Sequence, residues 1–252
     1  MTTDIRRTSV FQKNDLPVIF APLYRGAITG EGASSELLPP WAETFGTGST
    51  FCRALVGRRY LSEEQMKHAA SRYHLGMLAD GAVIFWQIDQ QGRTRDGKVM
   101  HYREDCHRDK LRHPTWISAL MKRQAGYDGE ICIKRCLFGL HLLPFVTGTV
   151  AIVEAEKTAV ILSERFPGYV WMAAGGLNSL SAEKLLPLKE QRVVLFPDTD
   201  PDGSTYRKWH DIAREASSHF LCPIHVSPIL EQRASPEQKT RKIDLVDFLY
   251  DR

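Results

Sequence analysis

The spacing of apolar positions changes partway along the chain. From residue 150 onward, short apolar runs alternate with helical patterns. Val150 to Glu154, Tyr169 to Ala173, Gln191 to Phe196 and Pro223 to Ser227 are rich in β-branched and aromatic residues and read as strands. Between them, Glu156 to Arg165, Ser179 to Leu186 and Pro201 to Phe220 read as helices, the second capped by Ser179 or Ser181 and the third with proline in its first turn. This alternation predicts parallel βα units. Ser235 to Arg241 is polar throughout and reads as a loop; Leu245 to Tyr250 reads as a short final helix.

Upstream the pattern differs. Ser62, followed by two glutamates, opens a helix that reaches Tyr73. Ala82 to Ile88 is a strand, and Gln90-Gln91-Gly92 turns it into a second strand around Lys98 to Tyr102, a hairpin with a loose loop. Ile131 to Arg135 reads as a further strand, and Leu137 to Leu143 as a turn or helix. Asn14 to Phe20 fits a helix start or an edge strand, and Gly26 to Thr50 has the Gly, Ser, Thr and Pro content of a loop or linker. The expected organisation is an arm or linker over 1–50, a smaller α+β unit over 51–145 and an α/β unit over 146–252.

Two strand ends carry candidate chemistry. Ligands bind at the carboxyl ends of strands in parallel sheets. Glu154 ends one strand, and Asp198 and Asp200 follow another, within Phe196-Pro-Asp-Thr-Asp-Pro-Asp-Gly203. If the two strands are neighbours, three carboxylates converge, as a hard cation such as Mg²⁺ requires. Asp202 is an outer ligand or only a turn former. Two plainer explanations compete: a glutamate favoured by the helix dipole, and an ordinary acidic turn. An EF-hand fails, because its twelfth loop position is Trp209 and a strand precedes the loop. Lys157, at a helix N-terminus, is placed to meet phosphate. Gly175 and Gly176 either admit a phosphate backbone or form a plain turn.

Composition narrows the classes. The chain has 252 residues, 43% hydrophobic and 25% charged, with a net charge of +3. That fits an ordinary globular protein; the clustering of charge says more than its sum. The hairpin region gathers Arg93, Arg95, Lys98, Arg103, Arg108, Lys110 and Arg112, with Trp86, Tyr102 and Trp116 among them. Cations for phosphates and rings for bases suit a single-stranded nucleic acid; a solvated charged hairpin is the alternative. Five scattered cysteines suggest no disulfide framework, and Cys132-x-x-x-Cys136, with His141 or with Cys106-His107, falls short of a full zinc spacing. No signal peptide, membrane span or P-loop is visible, so the expected location is the cytoplasm.

A strand ending in glutamate, followed by a strand ending in Asp-x-Asp, resembles the Toprim domain of DnaG-type primases, type IA and type II topoisomerases and some nucleases. The likeness to primases extends further, over roughly Tyr73 to Phe248. The hairpin from Gly81 to Lys98 resembles the one preceding the primase Toprim domain, and Leu137-Phe-Gly-Leu-His141 resembles the primase L-Y-G-L segment. Ala173 to Ser179 sits where primases carry a G-T-A turn, and Asp244-Leu-Val-Asp-Phe-Leu249 resembles their D-x-x-D-Y-L ending. The series also resembles a group of Toprim proteins from Bacteroidetes and their mobile elements, with its Glu-x-Glu-Lys-Thr-Ala signature. Two features depart: Ala155 stands where primases usually have glycine, and no N-terminal zinc ribbon is visible.

The resemblance implies a Rossmann-like Toprim sheet preceded by a smaller primase-like subdomain. It implies Mg²⁺ or Mn²⁺ as cofactor, Glu154, Asp198 and Asp200 as catalytic residues, and Glu154 as either metal ligand or general acid/base. The implied activity is nucleotidyl transfer on single-stranded DNA, making a primer from nucleotides during replication of a mobile element or phage. A replicative helicase or mobilisation protein is the implied partner. A Toprim nuclease and a catalytically weak DNA-binding or recombination module are the alternatives.

Overall fold

The computed structural model describes residues 46–123 and 134–250. The expectations for the N-terminal arm up to residue 45, for a strand at 131–133 and for Cys132 as a metal ligand lie outside them. Two helices come first. Helix α1 (Thr50–Gly57) is capped by the Ser49 side chain, which accepts from the Cys52 N–H, and it buries Phe51, Cys52, Ala54 and Leu55. Helix α2 (Glu63–Arg72) starts at the expected Ser62, whose side chain and that of Gln65 cap each other's backbone. An antiparallel sheet follows in chain order: β1 (Gly76–Met77), β2 (Val83–Ile88), β3 (Thr94–Met100) and β4 (Thr115–Trp116), with helix α3 (Ile117–Lys122) after it.

Strand β3 begins four residues earlier than the apolar pattern predicts, because its first half is charged. Asp96 pairs with Gln87 across the hairpin, and Gly97 pairs with Trp86. A side chain at Gly97 would lie 2.8 Å from the Trp86 ring and from Ile117, so the strand needs a glycine where propensity disfavours one.

A 3₁₀ turn (Leu140–Phe145) leads into the parallel sheet of β5 (Thr149–Val153), β6 (Tyr169–Ala173), β7 (Arg192–Phe196) and β8 (His225–Val226), in the order β6-β5-β7-β8. Helices α4 (Glu156–Arg165), α5 (Ala182–Leu185) and α6 (Ser204–Ser217) alternate with these strands. Three short helices close the chain: α7 (Ile229–Arg233), α8 (Pro236–Arg241) and α9 (Leu245–Tyr250). Alternate residues of β5 serve two cores. Val150 and Ile152 pack with Trp209 and Ala213 of α6, and Ala151 and Val153 pack with α4. A strand buried on both faces has no polar side, which is why it reads as a continuous apolar run. The α4 core also contains Phe51, Tyr73 and Phe85, so the antiparallel sheet and the parallel sheet share one apolar interior.

The α/β class, with helices flanking a parallel sheet and a smaller antiparallel unit before it, is the architecture the pattern predicts. One segment is a correction. Ser235 to Arg241 is a helix, not a loop: Ser235 and Gln238 form a reciprocal capping box, Pro236 occupies the first turn, and no residue of α8 is buried. An all-polar helix carries no apolar period; only its cap shows in the sequence. Ser235→Ala is expected to lower stability by about 1 kcal/mol in urea denaturation. An unchanged midpoint would mean that the cap does not hold this helix.

Candidate active site

Strands β5 and β7 are parallel neighbours with Val153 opposite Phe196, so Glu154 and Asp198 leave adjacent strands at the same edge of the sheet. The loop carrying Asp198 is tied down one residue later. Thr199 N–H donates to the Ile243 carbonyl at 3.1 Å, bringing the loop against the start of α9. There Asp244 and Asp247 cap each other, with Asp247 N–H on Asp244 Oδ1 at 2.7 Å, and Thr158 Oγ1 donates to Asp244 Oδ2. Lys157 Nζ lies 4.0 Å from the carboxylates of both Asp244 and Asp247. The strand ends and the α9 start therefore bring Asp198, Asp244 and Asp247 to one lysine, with Glu154 beside Asp198 and Asp244.

The cluster is strained electrostatically. Burial pushes the Asp198 carboxyl well above the carboxylate range, and Asp244, Glu154 and Asp247 push it further. Burial and Asp244 raise Glu154, opposed by Lys98 and the Leu177 N–H. Burial works against the Lys157 ammonium, but Asp244 and Asp247 outweigh it and raise its pKa. Among the described residues, no three His, Cys, Asp or Glu side chains enclose a ready-made metal cage.

Asp200, expected beside Asp198, is committed elsewhere. Its carboxylate accepts from Ser204 N–H at 2.9 Å, Ser204 Oγ at 3.0 Å and Thr205 N–H at 2.7 Å. Burial works against its charge, but these donors at the start of α6 hold its pKa far below the usual range. Asp202 Oδ1 accepts from the same Ser204 N–H at 3.2 Å, and its carbonyl accepts from Arg207. The acidic turn thus divides, with Asp198 facing the cluster and Asp200 and Asp202 serving the N-terminus of α6.

Lys98 is not a surface cation. Its ammonium donates to both Glu156 oxygens, at 3.1 and 3.0 Å, and to the Gly175 carbonyl at 2.7 Å. The lysine side chain is 12% exposed and that of Glu156 is 2% exposed. The contact joins β3 of the antiparallel sheet to the parallel sheet. Gly175 has φ +92°, and a Cβ there would stand 3.3 Å from Glu156 Oε1, so the glycine serves this lock. Gly176 is also left-handed, at φ +140°. Ala155 has φ −98° at the cap of α4, a conformation open to any residue, so alanine there costs no strain.

The basic hairpin is partly compensated. Arg93 Nε lies 2.9 Å from Asp89 Oδ2, and an Arg95 guanidinium nitrogen 2.6 Å from the same oxygen. The aromatic expectation needs correction. Trp86 is 2% exposed, inside a cluster with Ile84, Val99 and Ile117. Tyr102 packs on Phe51 with ring centroids 4.8 Å apart. Trp86 cannot stack on a base, because β2 is buried on both faces, and Tyr102 has one partner ring already in Phe51. Trp116 remains half-buried beneath the Arg135 guanidinium. Arg93 and Arg95 nevertheless line a groove of about 1210 Å³, together with Lys134, Arg135, Lys184 and Lys189.

Asp244 and Asp247 belong to the site, although only the D-x-x-D ending of the chain marked them. Glu156 takes its role from Lys98, 58 residues away in the sequence. Among the described residues Cys136 and Cys106 are free thiols, and His141 Nε2 is taken up by the Arg72 carbonyl at 2.9 Å.

These features define an α/β protein with a parallel sheet that is acidic at the ends of its two central strands. The chain belongs to the family described as "Domain of unknown function (DUF6371)", whose model matches residues 49–199. No curated protein matches it. Among solved structures it is similar to the primase fragment of the bacteriophage T7 primase-helicase protein, at 17% identity and a TM-score of 0.40 over 64% of this chain and 60% of that one. A second similar chain comes from the bacteriophage T7 lagging-strand DNA polymerase complex with primase domains, an RNA/DNA hybrid and dTTP. There the identity is 18% and the TM-score 0.40, over 64% of this chain and 74% of that one. The chain thus spans 60% of the first of these.

Proposed function

We propose that the protein carries out metal-dependent phosphoryl transfer on single-stranded DNA, as primase-like nucleotidyl transfer. The observation that carries this reading is the meeting of Glu154 and Asp198, at the ends of adjacent parallel strands, with Asp244 and Asp247 from the start of α9, in a chain that also carries a groove lined by lysines and arginines. The donor set suits Mg²⁺ or Mn²⁺. All four are hard oxygen ligands whose mutual repulsion a cation relieves, and Mg²⁺ needs only one or two carboxylates besides water and phosphate, not a closed cage. Asp198 and Asp244 are the ligands this arrangement favours, with Glu154 and Asp247 beside them. When bound, the metal stabilises negative charge developing on the phosphoryl oxygens.

The chain's own groups do the rest. Glu154, raised by burial and by Asp244, is the carboxylate proposed to take the proton of an attacking hydroxyl. Lys157 offers a cation to phosphate at the start of α4. Lys98 and Glu156 fix the hairpin sheet against the site, and the groove neutralises the strand's phosphates. One observation favours a second reading, a DNA-binding module without turnover: Asp200 is spent on capping α6.

Full-length protein with Mg²⁺ or Mn²⁺, labelled nucleotides and single-stranded DNA is expected to extend or initiate chains. Cleavage without synthesis would make it a nuclease. Neither product, with no metal binding by calorimetry, would leave the binding module. Reversing Arg93 and Arg95 to Glu is expected to weaken single-stranded DNA binding and flatten its salt dependence, because fewer counterions are released. Unchanged affinity would mean that Asp89 already cancels both charges.

A further inference from the structure

One side chain in the groove is prepared more thoroughly than a phosphate contact requires. Arg135 Nε donates to Asp96 Oδ2 at 3.1 Å. The Asp96 side chain is 0% exposed and is itself held by Ser118 N–H, Ser118 Oγ at 2.8 Å and Gly97 N–H. The guanidinium lies over Trp116, 3.7 Å from the ring centroid. Its direction is thus fixed at one edge and its plane at one face. The Arg135 side chain still keeps 35% of its surface exposed, and it lines the groove, whereas Trp116 does not.

We infer that Arg135, laid flat on Trp116, is a stacking platform for an unpaired base of single-stranded DNA entering the groove. The inference rests on the nucleic-acid reading above and adds a base contact to it. A salt bridge to phosphate needs only charge, and a flexible lysine serves as well. A guanidinium held planar against an indole offers a preformed flat surface that loses little freedom when a base settles on it. Arginine planes stack on splayed bases in single-stranded recognition, and such stacking tolerates any base, because every base has a π-face. Neither of the hairpin's other rings lines the groove, Trp86 being buried and Tyr102 packed on Phe51, so Arg135 supplies the platform there.

Arg135→Lys separates plane from charge, since lysine keeps the cation and its reach to Asp96 but has no flat face. The test is anisotropy titration of the full chain with a thymidine oligodeoxynucleotide and with an oligomer of equal length made of abasic sites. Wild type is expected to prefer the base-bearing strand by about ten-fold, the size of one stacked base. Arg135→Lys is expected to lose that preference while keeping its affinity for the abasic strand and its salt slope. Retention of the preference by Arg135→Lys would overturn this inference alone. Failure of wild type to bind either oligomer would overturn the nucleic-acid reading and this inference with it. Should Arg135→Lys not fold, Trp116→Leu carries the same test: it leaves the Asp96 pair in place, removes the backing ring and is expected to lose the same preference.

Discussion

Asp198→Asn and Glu154→Gln are each expected to lower nucleotide incorporation by at least about 100-fold while leaving the fold intact. Both changes keep side-chain shape and remove a charge that the cluster tolerates poorly. Without metal the variants are therefore expected to be more stable than wild type at neutral pH. The sign follows from the raised pKa values of Asp198 and Glu154. A carboxyl raised in the folded state holds its proton longer there than in the unfolded chain. Its ionisation destabilises the fold as pH rises from the ordinary carboxylate range through the folded value. The gain from Asp198→Asn is thus expected at neutral pH and to fade toward acid, as thermal melts across pH will show. Adding Mg²⁺ is expected to raise the melting temperature of wild type and not of Asp198→Asn. Full turnover by Asp198→Asn would sink the catalytic assignment.

Asp200→Asn provides the contrast. Its depressed pKa marks a carboxylate that stabilises the fold above the unfolded value, and that stability is lost as pH falls through the folded one. Asparagine is itself a good cap. The expected result is a modest loss of stability and retained metal binding, unlike Asp198→Asn.

The difference between these two aspartates shows where sequence stops being legible. Apolar runs set the parallel sheet, because β5 and β7 are buried on both faces and read continuously; their adjacency placed Glu154 and Asp198 together. Asp-Thr-Asp, however, looks the same whether its second carboxylate meets a cation or a helix N-terminus. Three donors on Ser204 and Thr205 decide it, and the turn geometry that brings them round appears only in three dimensions. Asp244 and Asp247 lie nearly fifty residues on, brought back by the Thr199–Ile243 bond, by Thr158 and by the packing of Leu245 and Val246 in the α4 core. Charge counting along the hairpin could not separate Lys98, which points inward, from Arg93, which points outward, because their partners come from different parts of the chain.

Lys98→Met is expected to cost about 3–5 kcal/mol of stability, because it strands the Glu156 carboxylate without a partner in a buried place. Both side chains are nearly enclosed, and the ammonium satisfies three acceptors at once. For a domain whose net stability is about 5–15 kcal/mol, that loss takes much of the margin. A purely exposed pair would cost about 1 kcal/mol or less. The double variant Lys98→Met with Glu156→Gln removes both charges and is expected to recover most of the loss, giving a strong coupling in a double-mutant cycle read from urea melts. Recovery of stability need not restore activity, since the Gly175 carbonyl loses its donor and the hairpin sheet its tether to the strand ends. Independent, additive effects of the two substitutions would mean that the pair is not the joint between the sheets.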